Sequence, residues 1–66
     1  MKITLNGKEK EVTQSLNLRG IINQFGKNTQ RIIAEVNGEI IKTPQWDQTI
    51  LKDGDQVELV SFVGGG

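Results

Sequence analysis

The sequence predicts an α+β fold in which a mixed sheet of four to five strands carries one helix across one face. Three observations predict it. Two Asn-Gly dipeptides, Asn6-Gly7 and Asn37-Gly38, each separate a pair of short strand-like segments. Between those pairs the apolar residues switch to a helical period, with Leu18, Ile21, Ile22 and Phe25 at i, i+3, i+4 and i+7. A last alternating segment, Gln56 to Ser61, follows a Gly-centred turn.

Each element follows from its own chemistry. Met1 to Leu5 alternates apolar and polar residues, the period of a half-buried strand. Asn6-Gly7 suits the positive φ angles of a type I′ turn, whose twist matches that of the flanking strands. The return segment, Lys8 to Val12, is highly charged and reads as an edge strand, with Lys and Glu discouraging edge-to-edge pairing. Asn17 is the expected N-cap of the helix, Leu16 a staple against Ile21, and Gly26 its C-terminal stop. Gly20 costs about 1 kcal/mol relative to Ala inside a helix, which close packing at that point would justify.

The second hairpin runs from Arg31 to Val36 and from Glu39 to Lys42, with Ile32, Ala34 and Val36 directed inward. Thr43 to Lys52 holds the only Pro and the only Trp and has no clean period. It reads as a connection with a short helical turn, Trp46 and Leu51 closing one end of the core. Asp53-Gly54-Asp55 reads as a turn, since two carboxylates make a poor cation cage. In the last strand Val57 and Leu59 face the helix, so Val60 and Phe62 face away. One helix on one sheet is the economical two-layer solution for such a chain.

The chain has 66 residues, and a domain of that size buries only about 60% of the surface its unfolded form exposes. Small domains often gain stability from disulfides or a metal, but there are no Cys and no His. The same absences remove a thiol nucleophile, the usual general base and the commonest zinc ligands, so the composition points away from catalysis. Eight basic residues balance eight acidic ones. No basic excess marks a nucleic-acid partner. No run approaches the roughly 20 apolar residues of a membrane span, and no apolar leader opens the chain. The expectation is a soluble, cytoplasmic protein that is monomeric when free, with no heptad pattern to drive self-association.

The expected organisation is a folded domain over residues 1–62 and a flexible glycine tail over 63–66. Gly64, Gly65 and Gly66 have no side chains to bury and lose the most entropy on ordering, so they do not serve the fold. Fully extended, three residues reach roughly 10 Å. A chain without Cβ atoms threads a narrow channel and leaves a terminal carboxylate open to reaction. That carboxylate is ionised at neutral pH and can attack a nucleotide phosphate to form an acyl-adenylate. The activated carbonyl then accepts sulfur or an amine. Without Cys, any sulfur the chain carries must sit on that carbonyl. By composition alone, the same glycine run also reads as a frayed end.

Taken in order, these pieces resemble the ThiS family of sulfur carriers in thiamine biosynthesis. The matching stretches are Met1 to Gly7, Val36 to Glu39, Gln45-Trp46, Leu51 to Val60 and the glycine end. The resemblance covers the whole chain and implies the ubiquitin-like β-grasp fold. It implies that Gly66 is adenylated by a ThiF-type activating enzyme using ATP, then converted to a thiocarboxylate. It also implies a persulfide-bearing protein as sulfur donor and a ThiG-type thiazole synthase as recipient, with no cofactor bound to the chain itself. Gly65 matches the second glycine of the family's usual pair, while Gly64 departs from the commoner Ala-Gly-Gly ending. Gly64 and Gly65 would thread the partner's active site. Val60, Phe62 and Val63, apolar and next to the tail, would form the docking patch, although scattered surface hydrophobes need no purpose. The small subunit of molybdopterin synthase is a similar carrier and the nearest alternative. A non-covalent β-grasp interaction module is the more distant one.

Overall fold

Both Asn-Gly dipeptides form the hairpin turns their chemistry predicts. In the computed structural model, which describes residues 1–14, 16–26 and 31–62, φ is positive at Asn6 (50°), Gly7 (83°), Asn37 (52°) and Gly38 (84°). Two consecutive positive φ values are the mark of a type I′ turn. The first turn joins β1 (Lys2–Leu5) to β2 (Lys8–Glu11), and the second joins β3 (Ile32–Val36) to β4 (Glu39–Ile41). Helix α1 (Leu18–Phe25) lies between the hairpins in sequence, and a 3-10 helix (Thr43–Gln48) precedes β5 (Gln56–Ser61).

The five strands form one sheet in the order β2-β1-β5-β3-β4. The last strand of the sequence is therefore the central strand of the sheet. It runs parallel to β1, with Leu5 beside Val57, and antiparallel to β3, with Ala34 opposite Leu59. The charged β2 lies at one edge, as its composition predicts, and β4 at the other. The mixed sheet with one helix is the architecture the sequence predicts.

Helix α1 starts where expected: the Asn17 side chain accepts a hydrogen bond from the Gly20 N–H at 2.8 Å. The helix buries Leu18, Ile21 and Ile22 completely against the sheet. Gly26 ends it, but not through a left-handed backbone. Its φ is −80° and its ψ 144°, and its N–H donates to the Ile22 carbonyl. A Cβ at this position would lie 2.6 Å from Ile22 O and 2.6 Å from Ile32 Cδ1. Close approach to strand β3, rather than a positive φ, is what excludes a side chain there. Gly20 is also closely covered: a Cβ there would lie 2.5 Å from Leu16 Cδ1. The helix does pack closely at the point where the glycine weakens it.

Trp46 and Leu51 are both 2% exposed and close one end of the core. The indole N–H of Trp46 donates to the Ile41 carbonyl at 2.9 Å. The Arg19 guanidinium lies 5.3 Å from the indole ring centre and bonds the Asp47 carboxylate at 2.6 Å, tying α1 to the 3-10 helix. Asp53 and Asp55 hold the last turn in place. Asp53 accepts from the Lys2 main-chain N–H at 2.7 Å, and Asp55 from Lys52 N–H at 2.8 Å. No helix among the described residues is long and apolar enough to cross a membrane.

Candidate functional site

Because β5 is central, its C-terminal end emerges from the middle of the sheet, held by a neighbour on each side. Phe62 N–H donates to the Arg31 carbonyl at 2.9 Å, extending the β3 ladder one residue past Ser61. On the other flank, Leu59 is bonded by the Asn6 side chain. The chain thus arrives at residue 62 in extended form and in fixed register. Val63 and the glycines Gly64, Gly65 and Gly66 lie outside the described residues.

Strand alternation gives the two faces of the sheet opposite characters. Val57 is buried under the helix and Leu59 is half-buried against the core. Val60 and Phe62 lie on the open face, 52% and 43% exposed. The pairing register adds residues the sequence reading missed. Ile33 stands directly opposite Val60, and Ile40, opposite Glu35, is its diagonal neighbour. Both are exposed. An apolar strip formed by Phe62, Val60, Ile33 and Ile40 therefore crosses the open face beside the last described residue. Alternation from Ile32 and Ala34 already implied that Ile33 points outward. Only the register shows that it meets Val60.

The strip has an anionic border. Glu35 and Glu58 are directly opposed across β3 and β5, on the same open face. They line a shallow depression with Thr4, Gly38 and Gln56. Like charges in opposed positions weaken a sheet, and neither carboxylate makes a salt bridge among the described residues. No cluster of three or more metal-ligating side chains occurs among the described residues. The arrangement presents an ordered strand end, an apolar strip and an acidic border. Among the described residues no constellation of acid, base and nucleophile accompanies them, and the sequence holds no Cys and no His.

Comparison with known proteins matches this architecture. The family model described as "ThiS family" matches residues 3–66. A crystal structure of the thiamine biosynthesis protein ThiS from Geobacter metallireducens superposes with a TM-score of 0.88, at 36% identity and full coverage of both chains. The sulfur carrier protein ThiS of Escherichia coli is 26% identical over the full length of both. A thiazole synthase of Paramagnetospirillum magneticum is 32% identical over all of this chain, which spans only 20% of that relative's length. The shared architecture is the ubiquitin-like β-grasp.

Proposed function

The chain belongs to the ThiS family, and from that premise we propose that it is a sulfur carrier of thiamine biosynthesis, a protein cosubstrate rather than a catalyst, working through the carboxylate of Gly66. The observation that carries this reading is the family match through residue 66, which takes in the whole glycine end. The absence of Cys supports it, because a chain without a thiol must hold sulfur on an activated carboxylate, and the glycine end leaves that of Gly66 sterically open.

In this scheme a carboxylate oxygen of Gly66 attacks the α-phosphorus of ATP in a ThiF-type activating enzyme. Pyrophosphate leaves and an acyl-adenylate forms. The outer sulfur of a donor protein's persulfide then attacks the carbonyl carbon and displaces AMP. A thiol of the donor cleaves the resulting S–S bond, forming a disulfide and leaving a thiocarboxylate on Gly66. The thiocarboxylate next gives up its sulfur to a thiazole synthase. The thiazole synthases similar to this chain support that choice of recipient. Gly64 and Gly65 thread the partners' active sites. Val60 and Phe62, with Ile33 beside them and Val63 following, form the docking patch, an apolar interface core with one aromatic anchor.

The test is to incubate the protein with its activating enzyme, ATP and a sulfur source, then fragment it in a mass spectrometer. The expected result is a mass gain equal to sulfur in place of one oxygen, localised to Gly66. The modified protein should then supply a thiazole synthase and not a molybdopterin synthase. An unchanged mass with an active enzyme would overturn the carrier role and favour a non-covalent interaction module.

A further inference from the structure

Asn6 and Asn37 occupy the same position in the two turns, and each also reaches out of its own hairpin to β5. Asn37 meets the start of that strand: its Oδ1 accepts from Gln56 N–H at 2.9 Å, and its own N–H donates to Gln56 O at 2.7 Å. Asn6 meets the other end. Its Oδ1 accepts from Leu59 N–H at 2.8 Å, and its Nδ2 donates to Leu59 O at 3.3 Å. These bonds join residues 53 apart in sequence.

The Asn6 carboxamide stands where the next residue of β1 would stand had the chain not turned away. One donor and one acceptor in a single planar group match both main-chain groups of Leu59. Beyond it, β1 pairs no further with β5 among the described residues. Phe62 bonds toward β3 through Arg31, so strand alternation turns the N–H and C=O of Ser61 toward β1. No partner for them occurs there among the described residues. Among the described residues Asn6 is the last hold on this flank of β5.

We propose that Asn6 is a positioning residue for the tail: its carboxamide fixes the end of β5, and with it the direction in which Gly66 is delivered to a partner's active site. The inference rests on the carrier role proposed above. It assigns Asn6 a task separate from turn formation, which Gly or Asp would serve as well at a positive φ. Asn6→Gly keeps the turn and removes both bonds. Asn6→Asp keeps the acceptor for Leu59 N–H but sets a second carboxylate oxygen against Leu59 O. Asn37→Gly is the matched control, the same change in the same turn at the far end of β5.

The experiment measures pyrophosphate release by the activating enzyme as a function of carrier concentration, alongside amide hydrogen exchange of the free proteins. Asn6→Gly should raise KM about tenfold, the penalty for re-ordering roughly one residue's backbone on docking. Its kcat should not change, because the reacting carboxylate is intact. Asn6→Asp should follow it, and Leu59 N–H should exchange faster in both variants. Asn37→Gly should leave KM within about twofold of the unsubstituted chain, since the tail end of β5 keeps its clamp. Overall loss of stability would affect the two Gly variants alike, so an equal rise in KM for both overturns the inference. An unchanged KM for the Asn6 variants, or a Leu59 amide that stays protected, overturns it too. Should Asn6→Gly fail to fold, Asn6→Asp decides the matter. If the unsubstituted chain releases no pyrophosphate, the carrier role itself falls and this inference with it. An active unsubstituted chain whose KM the Asn6 variants share would sink the inference alone.

Discussion

Replacing Gly26 by Ala tests why the helix stops where it does. The backbone there is extended, with φ −80° and ψ 144°, a conformation open to any L-residue. On backbone grounds alone, Ala would stabilise the protein by about 0.4–1 kcal/mol through a less flexible unfolded chain. The new Cβ, however, would lie 2.6 Å from both Ile22 O and Ile32 Cδ1. The Ile32 methyl is the end of a side chain and can turn, although that residue is only 8% exposed. The Ile22 carbonyl is main chain and already accepts the Gly26 N–H at 2.7 Å, so it cannot withdraw without loosening the cap. Overpacking of this kind costs about 1–3 kcal/mol. The net expectation is a loss of about 1.5 kcal/mol, or a fall in Tm of about 6–12 °C for a domain of this size. Urea denaturation followed by the fluorescence of the single Trp, paired with thermal melts by circular dichroism, measures both. Gly20→Ala is the instructive contrast. Its Cβ would meet the movable end of Leu16 at 2.5 Å, while Ala gains about 1 kcal/mol of helix propensity. That variant should stay within about 1 kcal/mol of the parent. A Gly26→Ala protein as stable as the parent would refute the close-approach reasoning, as would a Gly20→Ala protein that loses more.

Two further expectations follow from the core and from the open face. Trp46→Phe removes the donor to the Ile41 carbonyl at 2.9 Å and should cost about 1–3 kcal/mol, measured by urea denaturation with circular dichroism. A loss below about 0.5 kcal/mol would mean that this hydrogen bond does not hold the 3-10 helix in place. Phe62→Asp should change stability by no more than about 0.5 kcal/mol, because the ring lies on the open face. It should weaken binding to the activating enzyme about tenfold or more, as the loss of an aromatic anchor does. An unchanged Kd, measured by calorimetry, would remove Phe62 from the docking surface.

Much of this fold was legible because its signals are local. Asn17 announced the helix start, and its carboxamide does bond Gly20 N–H. Both Asn-Gly turns followed from the need for two successive positive φ values. The alternation of β5 placed Val57 under the helix and Val60 outside it. Gly26 was legible as a stop but not for its reason. Its neighbour Ile32 comes from another element, and no property of the segment around residue 26 shows how near β3 will pass.

The sequence by itself determined the elements and the inward and outward side of each strand, and its glycine end and family resemblance are what the proposed role of Gly66 rests on. Those properties depend on chain geometry within a few residues: the two-residue period of a strand, the 3.6-residue period of a helix and the φ range open to Asn and Gly. Only the tertiary structure decided that the last strand lies at the centre of the sheet, between β1 and β3. It alone set Ile33 against Val60 and Glu35 against Glu58. It also gave Asn6, legible only as a turn residue, a bond to a strand 53 positions away. Strand order and register are settled by how the whole set of apolar faces is buried at once, and that choice brings together residues whose separation in sequence carries no record of it.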